Sequence, residues 1–258
     1  MLDSQLAGTL RTPGVISPFG SVNAQTSDGN SNYHAGTLEL RRRFADNYQF
    51  LASYTFSKSI DDSSDLQTLL LPQDNRNLSA ERALSLFDQR HRFVFSGVLT
   101  APESFRDSDS LFKRFLADFI VAPIFEISSG RPFNILTNQD TNNDQSSQTD
   151  RPSVAADGTL FIPGPFQNGN LGRNRGILRS FSQLDLRVTR NIRFGERFRL
   201  EVIAEGFNLF NRFNQAAASP FISDVNAFNQ RNGSGNYFSR PTAAFDSRQF
   251  QFGLKMNF

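Results

Sequence analysis

Residues 184–205, LDLRVTRNIRFGERFRLEVIAE, contain two segments in which apolar and polar side chains alternate. Leu184 and Leu186 begin the first segment, with Asp185 between them, and residues 198–204 repeat the pattern. Such alternation with a period of two is the signal of a β-strand whose two faces meet different surroundings. Phe194-Gly195-Glu196 alone connects the two segments, which leaves room only for a tight hairpin. The stretch therefore predicts two antiparallel strands.

The same alternation of apolar and polar residues occurs in five other segments. They comprise residues 34–44, 48–57, 92–100, 115–129 and 249–258. The last is the most regular, with an apolar residue at every second position. Segment 115–129 contains Pro123, and proline fits a bulge or a strand end better than the middle of a hydrogen-bonded ladder. Seven strands are expected in total, and the predicted fold class is all-β.

The connections between the predicted strands alternate between short and long. Residues 45–47, 101–114 and 194–196 form the shorter connections, and residues 58–90, 130–181 and 210–246 form long polar ones. A transmembrane β-barrel has this order, because its short turns lie on the periplasmic rim and its longer loops on the extracellular rim. We therefore predict an antiparallel transmembrane β-barrel segment, with apolar residues facing lipid and charged residues facing a hydrated lumen.

The composition agrees with strands and excludes several kinds of site. Phenylalanine contributes 28 residues, cysteine none, and 27 basic residues nearly balance 25 acidic ones. Aromatic side chains favour extended, half-buried strands. Without cysteine there is no disulfide framework, no thiolate zinc site and no thiol nucleophile. Because the charges form no basic face, we do not expect nucleic acid as a partner. The barrel prediction instead makes outer-membrane lipid the expected partner.

Two features indicate that the strands are part of a larger barrel. Single-chain bacterial barrels have an even number of strands, and an open sheet would leave two unpaired edges in lipid. The start, Met1-Leu2-Asp3-Ser4, also lacks the regions of a signal peptide. We therefore expect further strands upstream and interpret Met1 as an internal methionine or a truncated gene start.

A second interpretation keeps the strands but changes the fold. Two sheets stacked through their apolar faces would also explain the alternation, and the chain would then be a secreted β-sandwich adhesin or carbohydrate-binding module. The two folds differ in whether the Phe and Leu rows face lipid or a second layer. An enzyme is not expected, and we interpret Asp88, Arg90 and His91 as a charge network that ties a loop to the barrel rim.

Several short motifs occur in an order that resembles one family. They are SNYH at 31–34, FLASYTFSKSIDD at 50–62, NLSAER at 77–82, FDQRHRF at 87–93, SGRPF at 129–133, DRP at 150–152, GRN at 172–174, AEGFNLFN at 204–211 and DSRQFQF at 246–252. Each motif is weak alone. Together, from residue 31 onward, they resemble the TonB-dependent outer-membrane receptors of the Oar-like group.

This resemblance implies a 22-stranded barrel around an N-terminal plug, of which the chain would supply strands 16 to 22. Residues 34–258 would be the C-terminal part of the barrel, and residues 1–33 an extracellular loop or the remnant of a preceding strand. The implied location is the outer membrane. The implied function is energised uptake of a large nutrient such as an oligosaccharide, a peptide or a metal chelate. The implied partners are the missing strands and plug, the TonB complex through that missing part, and the outer-membrane assembly machinery.

Two further sets of residues are candidate sites. In barrels of this kind the assembly machinery recognises a last strand with alternating apolar residues, a glycine and a terminal aromatic residue, which Gly253, Met256 and Phe258 match. Asp140, Asn142 and Asp144 have the oxygen spacing of a calcium loop. The glycine and the glutamate that such a loop requires are absent, so a solvated polar loop is the stronger interpretation. No cofactor is expected.

Overall fold

The computed structural model describes residues 29–64, 71–195, 198–222 and 240–258. Its main element is one antiparallel sheet that contains the seven expected strands. They are β1 (Ser31–Ala45), β2 (Tyr48–Asp61), β3 (His91–Thr100), β4 (Phe119–Ser128), β5 (Phe181–Phe194), β6 (Phe198–Phe207) and β7 (Gln249–Asn257). Each strand pairs with the next in chain order, and the short strand Ala83–Leu84 adds to β2. The all-β prediction is confirmed, and the sheet is open over these residues.

The register between strands collects the alternating apolar residues on one face of the sheet. One row of directly paired residues crosses four strands at Ala52, Phe95, Phe125 and Leu184. A second row crosses Val188, Ala204 and Phe252 on β5, β6 and β7. Because successive side chains of a strand point to opposite faces, the charged residues between these positions collect on the other face. The sheet therefore has one apolar face and one mixed, largely polar face.

No second layer covers the apolar face in the described parts of the chain. Leu38, Phe252 and Leu254 are 74%, 78% and 74% exposed. The buried hydrophobic residues of the described chain are Ala117, Ile135, Leu136 and Ile222, and all of them lie outside the seven strands. A β-sandwich would bury these rows between two sheets. The sheet thus has the arrangement expected of a barrel wall and not that of the alternative sandwich.

Two short connections place tight turns on the same rim of the sheet. Asp46 and Asn47 join β1 to β2 with φ angles of 50° and 70°, which is the backbone of a two-residue hairpin turn. A register shift between Arg42 and Ala45 introduces a bulge just before this turn. Gly195, with a φ of 68°, begins the turn after β5. The prediction of tight hairpins at these two places is confirmed.

The connection between β3 and β4 lies on this rim as well and corrects one prediction. It contains the 3-10 turn Glu103–Phe105 and the helix α1, Leu111–Leu116. The predicted strand 115–129 is therefore wrong at its start, since the strand begins at Phe119 after a left-handed residue, Asp118, with a φ of 67°.

No helix within the described ranges is both long enough and apolar enough to cross a membrane.

Pro123 lies inside β4, and not at a bulge or strand end as predicted. Its pairing with Leu186 of β5 belongs to an uninterrupted ladder, whereas the ladder between β3 and β4 lacks pairs at Gly97 and Val98. Proline has no N–H group to donate. The gap in the ladder to β3 therefore lies at the residue that lacks the N–H group, and the ladder to β5 continues past it.

Three long loops share the opposite rim. We name them loop A (residues 62–90), loop B (129–180) and loop C (208–248). Loop A contains the 3-10 turn Leu78–Glu81. Loop B contains two short antiparallel strand pairs, Pro132–Phe133 with Gly176–Ile177 and Ser153–Val154 with Leu160–Phe161. Loop C contains one such pair, Gln215–Ala218 with Pro241–Ala244. The predicted segment 1–33 lies mostly outside the described residues, and β1 begins at Ser31 and not at His34.

Candidate binding surface at the long-loop rim

Four buried charged residues join loop A to loop B. We call Asp61, Glu81, Arg151 and Arg173 the loop charge cluster; their side chains are 4–7% exposed. The Arg151 guanidinium donates to both carboxylate oxygens of Glu81, at 2.7 and 2.8 Å. Arg173 forms an ion pair with Asp61 at the end of β2, and its Nε donates to the carbonyl oxygen of Glu81 at 2.8 Å. Two-point pairing of this kind gives geometric specificity as well as energy.

Gln73 of loop A completes the enclosure of this cluster. Its backbone N–H donates to Glu81 Oε1 at 3.0 Å, and its side-chain Oε1 accepts from the backbone N–H of Arg151 at 2.9 Å. Its Nε2 donates to the carbonyl oxygen of Gly169 at 2.9 Å. The amide therefore bonds to loop B on two sides, which satisfies polar groups that would be costly to bury alone.

Gly169 brings two stretches of loop B into backbone contact beside the cluster. A Cβ atom at this position would overlap the carbonyl oxygen of Arg151. Gly130, at the start of the loop, is in a similar position against the carbonyl oxygen of Leu178. Only a residue without a side chain fits such a close approach, so these glycines set the path of loop B.

Asp150 organises the first part of loop B from a fully buried position. Its Oδ2 accepts hydrogen bonds from the backbone N–H of Thr141 at 2.5 Å, from the Thr141 hydroxyl at 2.9 Å and from the N–H of Asn142 at 3.1 Å. Its carbonyl oxygen accepts from the N–H of Thr137 at 2.8 Å. These donors compensate for the removal of the carboxylate from water.

The three candidate calcium residues lie beside Asp150 and bond mainly to the backbone. Asp140 and Asn142 both accept from the N–H of Asp144, at 3.0 and 3.1 Å. Asp144 in turn accepts from the N–H of Ser146 at 2.9 Å, and burial raises the pKa of its carboxyl group. In the described ranges, no group of three or more His, Asp or Glu side chains is placed to hold a metal ion. Calcium binding at these residues stays an untested prediction.

Loops B and C meet through a small apolar seam. Leu136 and Phe221 form a parallel bridge, in which the N–H of Leu136 donates to the carbonyl oxygen of Pro220 at 2.8 Å. The N–H of Ile222 donates back to the carbonyl oxygen of Leu136 at 2.9 Å. Ile135, Leu136 and Ile222 are buried here, so most of the hydrophobic core of the described chain lies between two loops.

Two buried asparagines hold loop C in place: Asn214 bonds to β5, and Asn208 bonds within the loop. The side chain of Asn214 accepts from the N–H of Ser182 at 3.0 Å and donates to its carbonyl oxygen at 2.9 Å, as a neighbouring strand would. Asn208 donates to the carbonyl oxygens of Arg212 and Asp246, each at 3.0 Å. Asn208 has a φ of 47°, a left-handed conformation that asparagine tolerates better than most residues.

The residues Asp88, Arg90 and His91 connect loop A to β2. Asp88 accepts from the N–H of Ser59 at 2.6 Å and lies 3.5 Å from the Arg90 guanidinium. His91 Nδ1 is 2.8 Å from the Tyr54 hydroxyl. These contacts agree with the interpretation of a charge network that ties the loop to the rim.

The described parts of the three loops form a cap with a hydrogen-bonded interior and exposed aromatic side chains. The exposed aromatic residues include Phe161, Phe166, Phe210 and Phe213, which are 47–72% exposed. Aromatic rings beside amide and hydroxyl groups bind ligands by stacking and hydrogen bonding. The arrangement suits non-covalent recognition.

Comparison with known families decides where this sheet resides. Residues 4–251 match the family model for an outer membrane beta barrel domain. The chain belongs to this family. It is an all-β protein of the outer membrane, so the apolar face of the sheet is its lipid-facing side and the long loops lie on the extracellular rim. No curated protein and no solved structure matches the chain.

The residues predicted to form an assembly signal lie at the last strand of this outer membrane beta barrel. Gly253 is opposite Ile203 and Met256 opposite Leu200, while Phe258 is 93% exposed. Their recognition by assembly machinery stays a prediction.

The loop charge cluster was not foreseen from the sequence, although Asp61, Glu81, Arg151 and Arg173 all stand in motifs that carried the resemblance. Local sequence does not single out the two arginines, because Arg131 and Arg175 in the same loop also stand beside glycine, proline or asparagine. The partners of the two cluster arginines lie 70 and 112 residues away, so no local pattern could identify them.

Proposed function

We propose that the chain is the C-terminal barrel part of a TonB-dependent receptor of the Oar-like group. The receptor would take up a large nutrient, either an oligosaccharide, a peptide or a metal chelate. Membership of an outer membrane beta barrel family supports the barrel. The TonB-dependent part of the proposal is supported by the order of the motifs from residue 31 to residue 252.

The observation that carries the proposal is the assembly of those motifs into one extracellular cap. Glu81 from NLSAER, Arg151 from DRP and Arg173 from GRN meet in the loop charge cluster. Asn208 from AEGFNLFN bonds to both ends of loop C, at the carbonyl oxygens of Arg212 and Asp246. A barrel that served only as an open pore would gain nothing from loops held this firmly. A receptor does gain, because loops that are ordered before binding lose less entropy when the ligand arrives.

The proposed partners follow from the same assignment. Further barrel strands and a plug would complete the pore, and the plug would contact the TonB complex. Assembly machinery would recognise β7 through Gly253, Met256 and Phe258. We assign the chain no catalytic step, and ligand recognition falls to the exposed surface of loops A, B and C.

Uptake by living cells tests the proposal. The gene that encodes the chain would be deleted in its host, and entry of labelled oligosaccharides, peptides and metal chelates measured with and without an uncoupler of the proton gradient. We expect uptake of one class to fall on deletion and to be restored by the intact gene. Wild-type uptake of the same class should stop with the uncoupler. Unchanged uptake of every class, or uptake that the uncoupler leaves intact, would contradict the assignment.

A matched pair of variants links uptake to the cap. Restoring the gene with Glu81→Ala should give reduced uptake, because the buried Arg151 loses its carboxylate partner. Restoring it with Glu103→Ala, an exposed residue on the opposite rim, should give normal uptake. Equal uptake by both variants would show that the cap has no part in recognition.

A further inference from the structure

A basic cavity lies on the turn rim, far along the strands from the loop cap. It has a volume of about 260 Å³ and is formed where the connection between β3 and β4 crosses the end of β5. Four arginines line it: Arg106 and Arg114 from the connection, and Arg190 and Arg193 from β5. Asp118 is the one acidic residue among the lining residues. The cavity therefore has an excess of positive charge.

Asp118 is already engaged by one of these arginines. Its carboxylate forms an ion pair with Arg106, whose hydrogen bond holds the pKa of the Asp118 carboxyl below its usual range. Among the described residues, the ion pairs include none with Arg114, Arg190 or Arg193. Three arginines thus line the cavity without a carboxylate partner in the described part of the chain. Guanidinium groups match phosphate in both charge and geometry.

The cavity also borders the lipid-facing side of the sheet. Arg190 stands in the apolar row of β5, and its guanidinium lies 5.2 Å from the ring centre of Phe115 and 5.1 Å from that of Phe119. Next to it, α1 exposes Leu111, Phe112 and Phe115, which are 78%, 69% and 57% exposed. A short helix with apolar side chains and adjacent Lys113 and Arg114 is suited to the boundary between headgroups and acyl chains.

We propose that this cavity binds the phosphate headgroup of an anionic glycerophospholipid in the periplasmic leaflet. Arg114, Arg190 and Arg193 bind the phosphate. Leu111, Phe112 and Phe115 contact the acyl chains of the same molecule. The position fits this occupant because the short-turn rim of an outer-membrane barrel is periplasmic, and because headgroups lie at the depth where the strands end. The inference concerns the opposite rim from the proposed receptor surface and does not depend on nutrient uptake.

Lipid displacement from the intact protein tests the site. The protein would be produced from its intact gene and purified from outer membranes in a neutral maltoside detergent, and binding of a fluorescent phosphatidylglycerol followed by anisotropy. Unlabelled phosphatidylglycerol should displace the probe at concentrations at least roughly tenfold lower than phosphatidylcholine does, because only the former carries a net charge. Inorganic phosphate should not displace it at matched concentrations. Equal displacement by the two lipids would overturn the proposal. Displacement by phosphate alone would identify a site for a free anion and reject the lipid.

Matched arginine variants locate the binding. Arg114→Gln with Arg193→Gln should weaken phosphatidylglycerol binding about 30-fold, and Arg114→Gln alone about fivefold. The single change lies on an exposed helix and gives the test if the double variant fails to fold. The control, Arg179→Gln with Arg248→Gln, removes the same charge from the loop rim and should change binding less than about twofold. An equal loss in the control would show diffuse attraction and no site.

Discussion

The sheet and the loop cap bury opposite kinds of residue. In the sheet, the Phe and Leu rows of seven strands are exposed or half-buried on one face, and none of the buried hydrophobic residues of the described chain lies in those strands. In the cap, charged and amide side chains such as Glu81, Arg151, Asp150 and Asn214 are 5% exposed or less. Each region would be unusual in a soluble protein.

The difference reflects the surroundings of each region: the sheet faces lipid, and the cap faces water. Lipid takes the place of a hydrophobic core for the sheet, because acyl chains cover the apolar rows. The cap faces water and has few apolar residues to bury. It is therefore held together by hydrogen bonds and ion pairs, which stabilise only when nearly every buried group has a partner. The cap should consequently be sensitive to polar changes, and the sheet to changes on its lipid face.

The largest effect is expected from loss of the central carboxylate of the cap. Glu81→Ala leaves Arg151 without a carboxylate partner and should lower the free energy of unfolding of the cap by about 3–5 kcal/mol. Hydrogen exchange at the amides of Gln73 and Arg151 measures this opening. Glu103→Ala is the control and should change stability by less than about 0.5 kcal/mol. The double variant Glu81→Leu with Arg151→Met should recover more than half of the loss, and no recovery would contradict the role of the buried pair.

A charge on the lipid face should have the next largest effect. Leu254→Arg places a guanidinium in the acyl layer opposite Val202 and should cost about 2–4 kcal/mol near the bilayer midplane. Gln251→Arg, on the other face of the same strand, should cost less than about 1 kcal/mol. Equilibrium unfolding in guanidinium chloride, starting from protein folded in lipid bilayers, measures the free energy of unfolding of both variants. If the two variants were equally unstable, the assignment of the two faces would be wrong.

The close backbone approach in loop B predicts a smaller effect. Gly169→Ala adds a methyl group that overlaps the carbonyl oxygen of Arg151, and the necessary backbone shift should cost about 1–3 kcal/mol. At Gly164, in the same loop, an added Cβ would lie 3.6 Å from the Gln167 side chain, which is an ordinary contact. Gly164→Ala should therefore melt close to the wild type. Similar melting temperatures for both alanine variants would argue against the close approach.

The smallest effect concerns pH at the turn rim. The hydrogen bond from Arg106, aided by the charges of Arg193 and Arg190, lowers the pKa of Asp118 from its usual value of 3.8. A carboxyl group with a lowered folded-state pKa stabilises the fold above its unfolded-state pKa, and this stabilisation is lost as the pH falls through the folded-state value. Asp118→Asn should therefore cost up to about 1 kcal/mol at pH 7. The difference from the wild type should shrink as the pH falls from 3.8 through the lower folded-state pKa. A difference that stayed constant across this range would show that the ion pair contributes nothing.

The sheet was predictable because its signal is local. Alternation has the same period as the pleat of a strand, so seven strands and two tight turns could be located from neighbouring residues alone. Where local pattern and context disagreed, the prediction was wrong. Phe115 continues the apolar pattern of the strand, yet it lies in α1, and the left-handed backbone of Asp118 separates the helix from β4. Pro123 lies within the strand because the ladder to β3 is interrupted at its level, while the ladder to β5 continues.

The cap was not predictable because its contacts are distant along the chain. Glu81 and Arg151 are 70 residues apart, and Ser182 and Asn214 are 32 apart. The loop residues were recognisable as polar, and some as part of a family resemblance. Which carboxylate each arginine would meet depends on the paths of loops A and B, and those paths depend on contacts such as that of Gly169 with the backbone of Arg151.

The direction of the strands restricts how the open sheet can close. In seven antiparallel strands the first and the last run the same way, so β1 joined directly to β7 would form a parallel seam. A second copy in the same membrane orientation would leave two such seams, because its β1 would also run alongside β7 of the first. A ring that is antiparallel throughout needs an odd number of further strands of other sequence between the two edges. The fifteen additional strands of a 22-stranded barrel would meet that condition.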